Sequence, residues 1–227
     1  MDMCGRFATS KSLDQLEEEF ALVGVPAREL PANWNVAPTQ EVYVMTEGPK
    51  LEIMRWGLIP AWAKPDFVSA HTINARSESV HEKPSFRNAF KSRRCFVPAD
   101  GYYEWATELG KYESKQPFFI HRRDNHALAM AGIYENGTVA IITKEATGAF
   151  AAIHNRMPLF LPLDEWEFWL DSKVTDVSEL QDVVQSGLSP EAAGLIAEPV
   201  STRVNKIVNN GPELVQPIEL GEQQTLM

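Results

Sequence analysis

The fold of this chain is decided by one segment near its middle, Cys95-Phe96-Val97-Pro98-Ala99-Asp100-Gly101-Tyr102-Tyr103-Glu104-Trp105. Apolar and aromatic residues stand on both sides of Asp100-Gly101, a dipeptide typical of turns. The segment therefore predicts a strand, a turn and a second strand. Cys95 lies in an apolar run, and we expect it to be a core residue.

Glu104 is the unusual residue of this segment. Side chains alternate along a strand, so a carboxylate between Tyr103 and Trp105 lies on the face opposite both. If that face borders a pocket, burial raises the pKa of Glu104 toward the range useful for proton transfer. An exposed strand glutamate is the alternative, and the sequence leaves both open.

More strands are predicted on both sides of this segment. Their ranges are 41–45, 51–56, 117–122, 127–134 and 138–143, with a further strand near 199–208. Glu47-Gly48-Pro49 and Glu135-Asn136-Gly137 predict turns that join two neighbouring pairs of these strands into hairpins.

Helices are predicted in both halves of the chain. Their ranges are 12–22, 84–92, a segment that starts at Leu163, 176–185 and 190–196. The first begins with Ser12-Leu13-Asp14-Gln15, which has the Ser-x-x-Gln form of a capping box. No internal repeat or low-complexity linker divides the sequence. We therefore predict a single mixed α+β domain over residues 1–227, with a largely antiparallel, barrel-like sheet flanked by short helices.

Composition argues against several classes of protein. The 227 residues are 44% hydrophobic, enough for one core. No run approaches the roughly 20 apolar residues of a membrane span. Without a charged and apolar leader, we expect a cytoplasmic protein. We also expect a monomer that does not associate with membranes. The two cysteines, Cys4 and Cys95, fit a reducing compartment. Neither metal-ligand spacing nor a Gly-rich phosphate loop is found, so we expect no metal and no cofactor.

The charge is unevenly distributed along the chain. A net charge of −10 argues against a generic nucleic-acid binder. Residues 76–94 are nevertheless basic. They contain Arg76, Lys83, Arg87, Lys91, Arg93 and Arg94 against Glu78 and Glu82. We call this the basic strip, and it is either a contact surface for a polyanion or an ordinary solvated helix face.

An aromatic, proline-rich segment, residues 56–65, is predicted to be a loop. Two tryptophans in a rigid loop form a stacking platform for unpaired bases, worth about 1–3 kcal/mol per base. The alternative is that Trp56 and Trp62 anchor the core or the loop itself.

The segment Met3-Cys4-Gly5-Arg6-Phe7 carries the most reactive candidate. If Cys4 becomes the first residue, its α-amine and its thiol form a 1,2-aminothiol. The amine titrates at about 7.7–8.0 and the thiol near about 8.5, so part of each is nucleophilic at neutral pH. An aldehyde condenses with the amine to an imine, and the thiolate then closes a five-membered thiazolidine ring. A partly buried, structural cysteine is the alternative.

Seven segments, taken in order, form a recognisable set. They are Met3-Cys4-Gly5-Arg6-Phe7, Asn35-Val36-Ala37-Pro38, Trp56-Gly57-Leu58-Ile59-Pro60, Ile73-Asn74-Ala75-Arg76-Ser77-Glu78, Pro98-Ala99-Asp100-Gly101-Tyr102-Tyr103-Glu104-Trp105, Gln116-Pro117-Phe118 and Ile153-His154-Asn155-Arg156-Met157-Pro158. Together they span nearly the whole chain and resemble the SOS response-associated peptidase (SRAP) family, the abasic-site processing proteins. The resemblance implies a protein of the DNA-damage response that crosslinks abasic sites in single-stranded DNA through its amino-terminal cysteine and so shields the lesion.

The resemblance also implies roles for single residues. The implied catalytic residues are Cys4, Asn74, Glu104 and His154. Cys4 matches the crosslinking residue, and Asn74 matches the residue that orients the sugar. Glu104 assists proton transfer, and His154 acts as acid and base in ring opening and adduct reversal. The implied DNA contacts are Arg6, Arg76 and Arg156 on the flanking phosphates, with Pro38 and Trp62 as further contacts.

The sequence departs from the family pattern at its start. The family's cysteine follows the initiator Met directly, whereas Met1-Asp2 precede Met3 here. Removal of Met1 alone leaves Asp2 first and keeps the Cys4 nitrogen in a peptide bond. We expect translation from Met3, or extra residues placed before it. Self-cleavage before Cys4 is the other alternative.

Two other functions remain open from the residues alone. The first is a thiol peptidase or amino-terminal-nucleophile hydrolase in which Cys4 attacks an amide, with His154 as base. The second is a non-covalent single-stranded DNA binding module that uses the aromatic loop and the basic strip.

For the function that the resemblance implies, the expected partners are single-stranded DNA containing abasic sites and replication-fork proteins.

Overall fold

The chain folds into strands and short helices over residues 5–106 and 115–220, the ranges that a computed structural model describes. The strands are β1 Phe7–Thr9, β2 Asn33–Val36, β3 Glu41–Thr46, β4 Lys50–Trp56, β5 Asn74–Arg76, β6 Arg94–Ala99, β7 Gly101–Ala106, β8 Gln116–Arg122, β9 Leu128–Glu135, β10 Thr138–Glu145, β11 Arg156–Pro158 and β12 Leu195–Pro199. The α-helices are α1 Leu13–Phe20, α2 Arg87–Ser92, α3 Trp166–Leu170 and α4 Val177–Gln185.

The strands form two sheets. In one of them β4, β3, β6, β9 and β10 close into a ring, because β10 pairs with both β9 and β4. β5 and β11 pair with the second half of β10. The other sheet has the order β12-β8-β7-β1-β2. Among the described strands, the parallel pairings are those of β10 with β4 and β5. The predicted α+β fold with a largely antiparallel, barrel-like sheet is confirmed.

Asp100 and Gly101 carry the chain from one sheet to the other. β6 belongs to the ring and β7 to the second sheet, so the predicted strand, turn and strand exist without pairing to each other. The Asp100 carboxylate accepts a hydrogen bond from the Ser10 amide at 2.7 Å. The Asp100 amide donates to the Ala8 carbonyl at 2.8 Å. A Cβ on Gly101 would lie 2.4 Å from the Phe119 ring, so a glycine is required where the strands approach.

The strands of the ring are buried on both faces. Val97 and Ile141 pack against the second sheet, whereas Phe96 and Ile142 pack against the helices. Strands covered on both sides have nearly continuous apolar sequences, as the central segment does. Cys95 is fully buried, which confirms the predicted core position, and burial raises the pKa of its thiol well above the usual value.

Both predicted hairpins are confirmed. β3 and β4 pair from Glu41 opposite Arg55 to Thr46 opposite Lys50. β9 and β10 are joined by Asn136 and Gly137, whose φ angles of 51° and 68° are those of a type I′ turn. This turn places β10 against β9 and so helps to close the ring.

The helix predictions hold in most places. α1 begins with the predicted capping box: the Gln15 amide donates to Ser12 Oγ at 3.3 Å, and the Ser12 amide donates to Gln15 Oε1 at 2.9 Å. The helices expected within 84–92, after Leu163 and over 176–185 are α2, α3 and α4. No helix in the described ranges is long and apolar enough to cross a lipid bilayer.

The helix predicted over 190–196 is wrong, as is the strand predicted near 199–208. Residues 190–193 start a helical turn, but Gly194 has a φ of 68° and ends it. The chain then runs as β12 along the free edge of β8, with Leu195 opposite Arg122. Pairing with β8 supplies backbone hydrogen bonds that a short isolated helix lacks, so tertiary context decides the conformation.

Arg94 connects the ends of two helices from inside the protein. It is 2% exposed. Its guanidinium donates to the carbonyls of Phe90 at 3.1 Å and Lys91 at 2.6 Å, at the end of α2, and to Trp169 at 2.7 Å, in α3. It also donates to the Asp171 carbonyl. Burial lowers the pKa of Arg94 to about 10, so the side chain remains charged at neutral pH.

The basic strip is therefore smaller than its sequence suggests. Arg94 is structural, and Arg93 pairs with Glu135 at 3.0 Å. Arg76, Lys83, Arg87 and Lys91 are exposed.

Arg94→Met is expected to lower the free energy of unfolding by about 3 kcal/mol, because it leaves several buried carbonyls without a donor. Chemical denaturation with urea at pH 7 measures this. Arg87→Met, on the exposed face of α2, is the matched control and should change stability by less than about 0.5 kcal/mol. Equal effects of the two variants would contradict the role given to Arg94.

Candidate functional site

A cavity of about 1080 Å³ opens beside β7 and the start of β1. Its lining comes from seven separated segments of the chain. The lining residues are Gly5, Arg6, Pro38, Ala70, Ile73, Glu104, Trp105, Lys115, Ala151, Ala152, Ile153, His154, Asn155 and Asn205. Because these segments are far apart in sequence, the site exists only in the folded chain.

Glu104 lies in the wall of this cavity. It is 4% exposed and stands opposite Phe118 on the neighbouring strand β8. Tyr103 points the other way, where it packs on Phe119 and donates to the Trp34 carbonyl at 2.7 Å. The alternative of an exposed strand glutamate is therefore wrong, and the carboxylate borders a pocket as the alternation of the strand allows.

His154 lies next to Glu104. Its Nδ1 is 3.9 Å from Glu104 Oε2. The Arg156 amide lies 3.1 Å from the same Nδ1 and the Arg156 carbonyl 3.4 Å from it; the shorter contact favours a neutral ring with its proton on Nε2. Burial lowers the pKa of His154 below its usual value, which favours the neutral ring at neutral pH. The cavity thus presents a carboxyl group and a neutral imidazole side by side.

Arg6 lines the cavity and is held by the protein. Its Nη1 donates to Asn35 Oδ1 at 2.8 Å and to the Val204 carbonyl at 3.0 Å. Partial burial lowers its pKa from the usual value. Asn35 is 1% exposed, although it lies in a strand of otherwise ordinary composition. Sequence reasoning gave Asn35 no role, and its place in a quoted motif was the only indication.

Arg156 is held differently from Arg6. It is 8% exposed, and its Nη1 and Nη2 donate to the two carboxylate oxygens of Glu78 at 2.5 and 2.8 Å. Nη2 also donates to the Thr143 carbonyl at 2.7 Å. The Arg156 guanidinium holds the pKa of Glu78 down to about 2.

The Glu78 and Arg156 pair makes stability depend on acid pH. The pKa of Glu78 is lower in the folded chain than in the unfolded chain, so its contribution is present above about pH 4.5 and is lost as the pH falls toward about 2. Glu78→Gln is expected to cost about 1–2 kcal/mol at pH 7, because half of the Glu78 side chain is exposed and solvent screens the pair.

Urea unfolding of the protein and of Glu78→Gln at pH 7, 5 and 3 measures this difference. The difference in the free energy of unfolding between the parent protein and Glu78→Gln should narrow between pH 5 and pH 3. A gap that stays constant over this range would show that the carboxylate charge is not what stabilises the pair. Glu82→Gln, at a nearby position where the carboxylate side chain is 73% exposed, serves as the control.

Asn74, Arg76 and Trp62 are not among the residues that line the cavity. Asn74 is half-buried at the start of β5, next to the lining residue Ile73. Arg76 is exposed at the end of the same strand. Trp62 is 55% exposed, donates to the Pro84 carbonyl at 3.2 Å and meets Phe67 edge to face at 5.9 Å.

Trp56, by contrast with Trp62, is fully buried. It donates to the Ile73 carbonyl at 3.0 Å, so the alternative of a core anchor is correct for this tryptophan.

Pro38 does line the cavity, as does Gly5. Cys4 lies outside the described residues, and Gly5 is the residue that follows it in the sequence. The described ranges contain no group of three or more His, Cys, Asp or Glu that could hold a metal ion.

The fold and the cavity define a class: a two-sheet α+β protein whose ring of strands supports a pocket containing a carboxyl group and an imidazole. A family model described as SOS response associated peptidase (SRAP) matches residues 3–207. The chain therefore belongs to the SRAP family, as its motifs indicated.

Several relatives of this chain are named abasic site processing proteins. The chain is 37% identical to the abasic site processing protein YoqW of Bacillus subtilis over 94% of this chain and 99% of that protein. It is 33% identical to the abasic site processing protein YedK of Escherichia coli over 95% of this chain and 100% of that protein. A crystal structure of a protein from Bacteroides thetaiotaomicron shares the fold, with a TM-score of 0.79 at 24% identity over 95% of this chain and all of the other.

Proposed function

We propose that this protein processes abasic sites by forming a covalent crosslink between Cys4 and the lesion in single-stranded DNA, which shields the lesion during the response to DNA damage. One observation carries the proposal. Gly5, the residue bonded to Cys4, lines the same cavity as Glu104 and His154. The names of the relatives support abasic sites as the target.

The chemistry needs an amine, a thiol and an aldehyde. An abasic deoxyribose opens to an aldehyde at its C1′ carbon. The Cys4 α-amine attacks this carbon, and loss of one water gives an imine. The Cys4 sulfur then bonds to the same carbon while the thiol proton passes to nitrogen, which closes the thiazolidine. The overall reaction releases one water and requires neither oxidant nor reductant.

Proton transfers limit both the opening of the sugar and the loss of water, and the cavity holds groups suited to them. Glu104, in its acid form, protonates the departing oxygen, and its carboxylate form removes a proton from the attacking amine. The Nε2–H of neutral His154 donates to a sugar oxygen during ring opening. Asn74, beside the cavity, orients the sugar. Reversal of the adduct follows the same steps backward, takes up one water and returns the aldehyde. Lyase-like chemistry is a separate branch, in which the imine loses its C2′ proton and the 3′ phosphate leaves.

The arginines and the apolar rim residues position the DNA. Arg6 lines the cavity with a fixed guanidinium, and the exposed Arg76 ends β5, the strand that follows the lining residue Ile73. Arg156 is 8% exposed and its Nη atoms bind Glu78, so it reaches a phosphate only where the Glu78 pair opens. Pro38 and Trp62 pack against sugar or base. We place the protein in the cytoplasm as a monomer that meets abasic sites at replication forks, with no cofactor and no metal.

The proposal is tested by mixing protein that begins at Cys4, verified by intact mass, with a single-stranded oligonucleotide carrying one abasic site. A denaturing gel should show a shifted, heat-stable band. Protein that begins at Met1 and keeps its first residues should give no band. If the protein that begins at Cys4 gives no covalent product, the proposed function is wrong.

A second candidate, a thiol peptidase, is favoured by the family's description and by the presence of His154 in the cavity. In this function Cys4 attacks an amide carbonyl, and the acyl-enzyme is hydrolysed by water. Thiol-dependent cleavage of a peptide in the absence of DNA would support it. Peptides corresponding to residues 1–8 of this chain are the first substrates to test.

A further inference from the structure

A loop at residues 203–210 borders the cavity and exposes two neighbouring aliphatic side chains. Ile207 is 59% exposed and Val208 is 84% exposed. Asn205, two residues before Ile207, lines the cavity. We call residues 203–210 the rim loop. Its apolar tip gains free energy when another apolar surface covers it, and it stands beside the site where DNA is proposed to bind.

The rim loop is held firmly by Asn35. The buried Asn35 Nδ2 contacts the carbonyls of Val204 at 3.3 Å, Lys206 at 3.1 Å and Asn209 at 2.8 Å. Asn210 adds a bond across the loop's base, where its Oδ1 accepts from the Trp34 amide at 2.8 Å. A preorganised loop loses little conformational entropy on binding, so the tip is suited to recognition.

The rim loop is also continuous with the cavity. Trp105 lines the cavity and donates from Nε1 to Asn205 Oδ1 at 2.6 Å. Arg6, another lining residue, donates to the Val204 carbonyl. A ligand that fills the cavity therefore meets the rim loop at its edge.

The charges of the rim loop favour a polyanion. Lys206 is exposed on the loop between the cavity residue Asn205 and the apolar tip. Arg203, by contrast, pairs with Glu213 at 3.2 Å. Single strands expose both phosphates, which pair with cations, and apolar base faces, which apolar side chains cover, so Lys206 beside an aliphatic tip suits such a ligand.

We infer that Ile207 and Val208 contact the unpaired base next to the abasic nucleotide, and that Lys206 pairs with the adjoining phosphate. An abasic nucleotide has no base, so its neighbour exposes a face that normally stacks on it. The rim loop covers that face and so directs binding toward lesions in single strands. This inference rests on the proposed function, because it takes the abasic sugar to occupy the cavity.

The test uses Ile207→Ser/Val208→Ser and a matched control, Val23→Ser/Leu163→Ser. The control also removes two exposed aliphatic side chains, 68% and 76% exposed, that do not line the cavity. The probe is a fluorescent single-stranded oligonucleotide with one tetrahydrofuran abasic analogue, which has no aldehyde. The rim-loop variant should bind it about tenfold more weakly, and the control should bind it like the parent protein.

A second oligonucleotide identifies the contact. In it, the nucleotides on both sides of the analogue also lack bases. The parent protein should lose about tenfold in affinity for this oligonucleotide, and the rim-loop variant should lose almost nothing further. Val208→Phe should bind the first oligonucleotide at least as tightly as the parent, a gain that a structural role alone does not give. Lys206→Ala should reduce the slope of log affinity against log salt by about one.

The inference is overturned if the rim-loop variant binds as tightly as the control, or if its loss is the same for both oligonucleotides. These measurements are independent of crosslinking, since the analogue forms no imine. If binding depends on the rim loop but no crosslink forms with true abasic DNA, the proposed chemistry fails and the contact stands. If crosslinking occurs and the rim loop has no effect, the contact fails alone.

Discussion

Cys4→Ala is expected to abolish the heat-stable product with abasic DNA completely in protein that begins at residue 4. The alanine variant keeps the α-amine, so an imine can still form, but it lacks the sulfur that closes the ring. Imines hydrolyse in water, whereas the thiazolidine holds the carbon by two bonds. A denaturing gel run after heating, with and without prior treatment with sodium borohydride, measures both species.

The borohydride arm separates the two steps of the reaction. Cys4→Ala should give a band only after borohydride reduces the imine. Cys95→Ala is the control, because Cys95 is the other thiol of the chain and is fully buried in the core. It should keep the heat-stable band. A heat-stable band from Cys4→Ala without borohydride would show that another residue forms the adduct.

Glu104→Gln is expected to slow crosslinking by a factor of about 10²–10⁴, the range for loss of a general acid or base. Glutamine has nearly the same shape and fits the buried position on β7, but it does not transfer protons. The measurement is a single-turnover time course with protein in excess over the abasic oligonucleotide. Binding of the tetrahydrofuran analogue should be unchanged or tighter, because one negative charge is removed from beside the DNA.

Glu135→Gln is the matched control for Glu104→Gln. Glu135 is also buried in a strand, at 7% exposure, and pairs with Arg93; neither residue lines the cavity. Its variant should crosslink at the parent rate even if its stability falls. A Glu104→Gln rate within about threefold of the parent would remove Glu104 from the chemistry and leave His154 as the candidate for proton transfer.

Much of the fold could be predicted because it depends on local chemistry. The type I′ turn at Asn136 and Gly137 and the capping box of α1 are encoded by adjacent residues. The predictions failed at 190–208, where the sequence is compatible with a helix and the edge of β8 recruits the chain as a strand. No local pattern contains the position of that edge.

The candidate site also contains residues that the sequence could single out and residues that it could not. Glu104 could be singled out because strand alternation separates it from Tyr103 and Trp105, and the structure places it in a cavity wall. Asn35 could not be assigned a role, since its bonds to Arg6 and the rim loop join residues 29 to 174 positions away. The basic strip was overestimated because Arg93 and Arg94 are taken up by contacts with Glu135 and with helix ends.

The sequence by itself determined the family and the order of most strands and helices, and it supplied the candidate reactive residues. These follow from short-range spacing and from side-chain chemistry, which do not depend on distant parts of the chain. Only the tertiary structure decided that Glu104 and His154 face each other across 3.9 Å and that the rim loop borders their cavity. Burial and proximity depend on how the sheets pack, and that packing is a property of the whole chain.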